Sequence, residues 1–121
     1  MAVLDASAIL AYLRDEPGSA IVEQALAEGA VCSAANWSEV VQKSLPLDSG
    51  WSAARQLLNA FDLAVEPVTL ADAERAAESW RAHPTLSLAD RLCLALAHRL
   101  QTTVLTADAA WGTEPPVRQI R

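Results

Sequence analysis

Short apolar runs alternate along the chain with longer segments in which apolar residues recur at helical spacing. The runs that we interpret as strands cover residues 2–4, 30–33, 64–68, 103–105 and 117–120. They are too apolar to leave one face of a sheet in water, which favours a parallel sheet covered by helices on both faces. Pro67 assigns the third run to an edge of that sheet, because proline cannot donate a ladder hydrogen bond.

Helical periodicity marks the segments between these runs. The predicted helices cover residues 6–14, 19–29, 36–45, 49–61, 70–82 and 88–100. Ser19 and Ser87 are favourable N-caps for two of these helices, and Pro46 ends a third. The sequence therefore predicts an α/β fold, a three-layer α/β/α sandwich with a short, mostly parallel central sheet. We expect residues 1–121 to form a single domain.

The overall charge restricts the partners that the protein can take. Nine basic residues stand against fifteen acidic ones, which gives a net charge of −6. This is the wrong sign for contact with a polyanion unless a local basic patch, a bridging cation or a basic partner intervenes. From Arg81 onward, however, five arginines outnumber the acids. The C-terminal third is therefore the better candidate for a nucleic-acid surface.

The apolar runs and the cysteines bear on the cellular compartment. No apolar run approaches the roughly 20 residues that a membrane-spanning helix needs. The chain opens with MAVLDASAIL, in which no basic segment precedes the apolar residues, so we expect no signal peptide and a cytoplasmic protein. Cys32 and Cys93 are isolated in apolar surroundings, and we expect buried, reduced thiols there rather than metal ligands.

Acidic residues follow the predicted strands at one edge of the sheet. Asp5 comes directly after the first strand, and Asp108 lies just beyond the fourth. Glu39 and Asp90 lie in the predicted first turns of two helices, Glu39 in the helix that follows the second strand. Because ligands of open α/β sheets bind beyond the carboxyl ends of the strands, these four acids are candidates for one site.

Each of these acids also has a purely structural explanation. The segments 36–39 and 87–90 both fit a capping pattern, with an acid three residues after a capping side chain. Glu39 is also spaced to form a solvated ion pair with Lys43. Asp5 is harder to explain in this way, because a carboxylate that follows a buried strand must be solvated, capped or coordinated.

Four converging carboxylates repel one another unless a cation neutralises them. Lys43 is the single lysine of the chain, and one ammonium group cannot balance four acids. Carboxylates without histidine or cysteine favour a hard cation, Mg²⁺ or Mn²⁺, over zinc. Such an ion makes bound water a better nucleophile and offsets charge on a leaving oxygen, which suits phosphodiester hydrolysis.

Three segments of the chain resemble the PIN-domain family, and within it the VapC-type toxins of prokaryotic toxin–antitoxin pairs. These segments are VLDASAIL, ANWSEVVQK and LSLADRLCLALAHRLQTTVLTADAAW, of which the last is the most specific. The one departure that we note is Ala89, where relatives often carry glycine. A methyl group is tolerable in the first turn of a helix.

The resemblance implies roles for six side chains. It implies that the metal is bound by Asp5, Glu39, Asp90 and Asp108, supported by the hydroxyl groups of Ser7 and Thr106. Those hydroxyls match positions that hold a metal-bound water or an acidic side chain. The matching proteins are Mg²⁺- or Mn²⁺-dependent endoribonucleases that leave a 5′-phosphate and a 3′-hydroxyl. They commonly form homodimers, and an antitoxin protein silences them by inserting into the active-site groove.

Several alternatives stay open at this point. Arg91 and Arg99 are candidates for contact with RNA phosphates, although a solvated helix face accounts for them equally well. A phosphatase with an aspartyl nucleophile requires a second acid two residues after Asp5, where this chain has Ser7. A PIN-like module without catalysis would work only through partners, and a divalent-metal titration separates it from an enzyme. A housekeeping RNA-processing nuclease is a further alternative to the toxin.

Overall fold

A computed structural model describes residues 1–46 and 50–121. Its five strands are β1 (Ala2–Leu4), β2 (Ala30–Ser33), β3 (Ala64–Glu66), β4 (Val104–Thr106) and β5 (Val117–Gln119). They form one sheet in the order β3-β2-β1-β4-β5, and every neighbouring pair is parallel. The predicted α/β class and parallel sheet are confirmed, with the third strand at an edge and Pro67 directly after it.

In the described part of the chain, six helices connect these strands. They are α1 (Ala6–Leu13), α2 (Ser19–Glu28), α3 (Ala34–Ser44), α4 (Gly50–Asn59), α5 (Leu70–Glu78) and α6 (Leu88–Leu100). Two short 3₁₀ turns follow α5 and β4, at Ser79–Arg81 and Ala109–Trp111. Among the described residues, no helix combines the length and the apolar composition that crossing a bilayer requires.

The buried side chains form two clusters, one on each face of the sheet. Leu4 and Leu105 belong to the cluster that contains residues of α1, α2, α3 and α4. Val3 and Val104 belong to the second cluster, which contains Cys93 and other residues of α6. Successive residues of a strand point to opposite faces, so β1 and β4 supply both clusters. The result is the expected three-layer sandwich.

The strand order places a topological switch point between β1 and β4. From β1 the chain moves outward to β2 and β3, and then returns to add β4 and β5 on the other side of β1. The helices after β1 and the helix α6 before β4 therefore cover opposite faces of the sheet. Ligands of open α/β sheets bind in the crevice that opens at such a switch point, outside the carboxyl ends of the strands.

Several element boundaries differ from those predicted. Gly18, not Ser19, is the N-cap residue of α2, with a φ of 94°, and an added Cβ there would lie 2.6 Å from the carbonyl oxygen of Ile120. The third helix begins after Ser33 rather than at Asn36, and β4 extends to Thr106. The fifth helix ends four residues early, because a 3₁₀ turn completes that segment. The predicted start of the fourth helix, residue 49, lies outside the described residues.

An ion pair joins α5 to α6. Asp72 is 4% exposed and accepts hydrogen bonds from Nε of Arg99 at 3.1 Å and from its Nη2 at 3.1 Å. Asp72 also forms a capping box with Thr69 at the start of α5. Burial alone would raise the pKa of Asp72, but the hydrogen bonds from Arg99 and Thr69 outweigh it and lower that pKa. The pair fixes the position of α6, the helix that carries Asp90.

We therefore expect Asp72→Ala to lower the free energy of unfolding by about 2–3 kcal/mol, since it removes both a charged hydrogen-bond pair and a capping residue. Glu74→Ala, at an exposed position on the same helix, is the matched control and should change stability by less than about 0.5 kcal/mol. Urea denaturation at neutral pH measures both values. Equal losses in the two variants would contradict the role given to the Asp72–Arg99 pair.

Candidate active site

Asp5 lies at the switch point with its carboxylate enclosed. The residue is 3% exposed and caps α1, since the backbone N–H of Ala8 donates to its Oδ1 at 2.8 Å. The hydroxyl of Thr106, at the end of β4, donates to Oδ2 at 2.6 Å. The hydroxyl of Ser7 lies 2.7 Å and 2.9 Å from the two carboxylate oxygens. The predicted supporting positions are thus in direct contact with Asp5.

Backbone amides orient these two hydroxyl groups. The N–H of Ala107 donates to the Ser7 Oγ at 2.9 Å, and the N–H of Asp108 donates to the Thr106 Oγ1 at 3.0 Å. A hydroxyl carries one proton, so an oxygen that accepts from the backbone has that proton free to donate. Both protons can therefore be directed at the Asp5 carboxylate. The network joins β1 to β4 across the switch point.

Burial raises the pKa of Asp5 from 3.8 to about 6. The hydrogen bonds from Thr106, Ala8 and Ser7 lower the pKa and so limit the rise, whereas the charge of Asp90 adds to it. The structure thus encloses a carboxylate beside another acid, with hydroxyl and amide donors but no basic side chain among its described hydrogen-bond partners. A cation placed nearby would favour the ionised form of such a group.

Asp90 lies in the first turn of α6 and is half-buried. Its Oδ2 accepts from the backbone N–H of Ser87 at 3.1 Å, and the Ser87 hydroxyl accepts from the Asp90 N–H at 3.1 Å. The capping pattern predicted for residues 87–90 is therefore present. One oxygen of the carboxylate, Oδ1, has no hydrogen bond among the described residues.

Glu39 lies in the second turn of α3, not the first. Ser33 is the N-cap residue of this helix, because its hydroxyl accepts from the N–H of Ala35 at 3.2 Å. The predicted capping role of Asn36 is therefore wrong. Its side chain instead donates from Nδ2 to Oε1 of Glu39 at 2.8 Å. The alternative pairing of Glu39 with Lys43 is absent too, since both ion pairs found in the described residues belong to Arg99.

Two buried thiols lie beneath these acids. Burial raises the pKa of Cys32 to about 12, and the charges of Asp5 and Glu39 contribute to the rise. Burial also raises the pKa of Cys93, with contributions from Asp5, Asp90 and Glu39. Asp5 and Glu39 therefore lie near both thiols, and Asp90 lies near Cys93. Both thiols are reduced and fully buried, as expected. The sheet order brings Asp5, Glu39 and Asp90 to one edge.

Asp108 is linked to Asp5 only indirectly. It is exposed, and its Oδ1 caps the 3₁₀ turn that follows by accepting from the N–H of Ala110 at 2.9 Å. Its link to Asp5 runs through the hydroxyl of Thr106 rather than through its own carboxylate. Gln119, which the sequence did not single out, holds this loop by donating to the carbonyl oxygens of Asp108 at 3.0 Å and Gly112 at 2.8 Å.

The two arginines predicted to contact RNA have partners within the protein. Arg91 donates from Nη1 to the carbonyl oxygen of Ala76, and Arg99 pairs with Asp72. Arg91 also lines a cavity of about 780 Å³ that extends along α6 to the amino ends of β1 and β4. None of the four predicted site acids lines that cavity. The contact of either arginine with RNA therefore stays a prediction.

The predicted ligands are of the chemical type that a hard cation prefers, but they are not spaced closely enough to share one ion. Within residues 1–46 and 50–121, no three carboxylate, imidazole or thiol groups are close enough to share one ion. The carboxylates predicted to bind the ion, Asp5, Glu39, Asp90 and Asp108, nevertheless offer only oxygen atoms, as Mg²⁺ and Mn²⁺ prefer. A divalent cation would also favour the ionised form of Asp5, whose pKa burial raises. That Asp5, Glu39, Asp90 and Asp108 bind it together stays a prediction.

Comparison with known proteins identifies the family. The PIN-domain model matches residues 2–112, and the chain therefore belongs to the PIN-domain family. A comparison with curated proteins gave no match.

Solved structures share the fold of this chain. One is a toxin–antitoxin complex from Klebsiella pneumoniae, with a TM-score of 0.82 and 18% identity, covering 100% of this chain and 98% of that chain. Another is DNA-bound VapBC from Salmonella typhimurium, with a TM-score of 0.72 and 14% identity, covering 100% of both chains. At these identities the likeness shows the fold alone, whereas the family match confirms the PIN-domain resemblance found in the sequence.

The burial of Asp5 predicts how stability depends on pH when metal is absent. Its pKa is higher in the folded chain, so the folded state holds more protons between pH 3.8 and about 6, and stability falls as the pH rises through this window. Asp5→Asn removes this titration. The difference in unfolding free energy between the variant and the wild type should change by about 2–3 kcal/mol from pH 4 to pH 7.

Urea denaturation in EDTA, at several pH values across that range, measures the effect. Glu74→Gln, which neutralises an exposed acid on α5, is the control for the loss of one negative charge. A pH-independent difference between Asp5→Asn and the wild type would refute the raised pKa.

Proposed function

We propose that this protein is a Mg²⁺- or Mn²⁺-dependent endoribonuclease that acts as the toxin of a toxin–antitoxin pair. The observation that carries the proposal is the Asp5 carboxylate, which is 3% exposed at the switch point of the sheet. Its pKa is raised to about 6, and Asp90 lies near enough to contribute to that rise. Two acids placed together in this way favour a bound cation over a structural role.

In this proposal Asp5, Glu39 and Asp90 would bind the cation, and the exposed Asp108 would be the fourth ligand. When bound, such an ion would make a water molecule a better nucleophile and would offset the charge that develops on the leaving oxygen. Thr106 and Ser7 fix the two oxygens of Asp5 through their hydroxyl groups. RNA is the proposed substrate, and a 5′-phosphate and a 3′-hydroxyl are the proposed products.

The partner proteins are proposed from two kinds of support. The fold is similar to that of chains solved in a toxin–antitoxin complex and in VapBC, which supports an antitoxin as partner. The net charge of −6 favours a basic partner. The large exposed apolar side chains are candidates for contact with an antitoxin or with a second copy of the chain: Leu45, Leu57, Val65, Val68, Leu70, Trp80 and Leu88.

The proposal is tested by incubating purified protein with total cellular RNA in Mg²⁺, in Mn²⁺ and in EDTA. We expect discrete cuts with either metal and none in EDTA. Asp5→Asn should lower the rate by about a hundredfold or more, because it removes a ligand from an ion worth several kcal/mol of barrier. Glu74→Gln, which removes an exposed acid far from the switch point, should cut like the wild type.

End-mapping of the products then identifies the RNA that is cut. Folding of each variant is checked by circular dichroism before the rates are compared. If no cutting occurs in any metal although the protein is folded and free of antitoxin, a PIN-like module that works only through partners becomes the better hypothesis. If Asp5→Asn cuts at the wild-type rate, the site is wrongly assigned.

The hydroxyl of Thr106 offers a second test. Thr106→Val keeps the shape of the side chain but removes both the donor to Asp5 and the acceptor for the Asp108 N–H, whereas Thr106→Ser retains both. We expect metal-dependent cleavage to fall about tenfold to a hundredfold in the valine variant and to change little in the serine variant. Equal activity of the two variants would remove Thr106 from the mechanism.

A further inference from the structure

Asn36 is a polar side chain that the fold buries completely. It is 0% exposed within α3, and its Nδ2 donates to the Glu39 Oε1 at 2.8 Å. Its Oδ1 is also buried and has no hydrogen-bond partner among the described residues. An unpartnered buried acceptor lowers stability, and such groups are rare in folded proteins. The residue therefore needs a reason other than stability.

Helix formation does not supply that reason. Ser33 already caps α3, and Asn36 lies three residues into the helix, where asparagine is a weak helix former. The apolar contacts of the helix with the core run through Val40 and the partly buried Trp37. A leucine at position 36 would serve both the helix and the core better than an amide does.

The bond to Glu39 fixes which way the amide points. An ionised carboxylate only accepts hydrogen bonds, so the NH₂ group of Asn36 must face it and the carbonyl oxygen must point away. The unpartnered Oδ1 is thus a direct consequence of holding Glu39. The bond also leaves Oε2 as the Glu39 oxygen with no hydrogen bond among the described residues.

We propose that Asn36 is a positioning residue for the cation site: its amide holds one oxygen of Glu39 so that the other is ready to bind the ion. The inference rests on the proposed function. A glutamate side chain has three rotatable bonds, and ordering it when the ion binds costs conformational entropy. Asn36 orders the Glu39 carboxylate beforehand, at the expense of an unpartnered acceptor in the core.

Asn36→Leu separates this role from a structural one, because it removes the amide and the unpartnered acceptor while keeping the number of side-chain heavy atoms. We expect unfolding in EDTA to require as much urea as in the wild type, or more. We expect the affinity for Mn²⁺, measured by calorimetry, to fall about tenfold to a hundredfold, as for other residues that orient metal ligands. Cleavage should recover at saturating Mn²⁺, with KM for RNA unchanged.

Two further variants serve as controls for Asn36→Leu. Ser44→Ala removes another buried polar side chain from α3, one turn beyond Glu39, and should bind Mn²⁺ like the wild type. Glu39→Gln provides a double-mutant cycle, in which Asn36→Leu should have no further effect on Mn²⁺ affinity if Asn36 acts through Glu39. If Asn36→Leu does not fold, Asn36→Ser removes the amide with a smaller change and is measured instead.

The outcomes separate the inference from the proposed function. If the wild type binds Mn²⁺ and cleaves RNA but the position-36 variant binds Mn²⁺ equally well, the inference alone is overturned. It is also overturned if the variant weakens Mn²⁺ binding as much in the Glu39→Gln background. If the wild type itself neither binds Mn²⁺ nor cleaves RNA, the proposed function fails and the inference fails with it.

Discussion

The enclosed carboxylate of Asp5 is the constraint on which the rest of the site depends. Moving a charge into a protein interior is costly unless donors replace the water that it loses. Those donors come from both sides of the switch point, where Thr106 lies 101 residues from Asp5 in the sequence. The parallel pairing of β1 with β4 is therefore a requirement of the site and not only of the fold.

Two arginines, Arg91 and Arg99, stabilise the packing of the helices instead of pairing with the site acids. Arg99 binds the buried Asp72 and comes within 4.0 Å of Glu66, which joins α6 to α5 and to the end of β3. Arg91 is held by a backbone carbonyl of α5. Both arginines thus fix the helix that presents Asp90, whereas no ion pair in the described part of the chain involves one of the four predicted site acids. In the proposed function, a metal ion from solution supplies the positive charge that these acids lack.

Sequence patterns predicted the parts of this arrangement that depend on local structure. Apolar runs located all five strands, and the capping pattern of residues 87–90 appears as predicted because both partners lie within one helical turn. Asn36 was misassigned because Ser33 is an equally good cap, and the choice between them depends on where β2 ends. The contacts of Arg99 and Gln119 span 27 and 11 residues and depend on packing, so no local signal announces them.

The capping and metal-binding interpretations of the acids prove to be compatible. Asp5, Asp90 and Asp108 each accept a backbone N–H at the start of a helix or 3₁₀ turn, where the dipole stabilises negative charge. Each aspartate is thereby held in place and partly compensated before any cation binds, although the carboxylates still repel one another. A single side chain can cap a helix through one oxygen and offer the other to an ion.

Glu39 is the one predicted site acid that accepts no backbone N–H among the described residues, and this explains why Asn36 lies beside it. It lies in the second turn of α3, where the backbone N–H groups are already bonded within the helix and none is free to hold a carboxylate. The amide of Asn36 supplies the missing donor from one turn earlier. Asn36 thus donates to Glu39 as the backbone N–H groups at helix N-termini donate to the aspartates. Its own unpartnered oxygen results from using the amide as that donor.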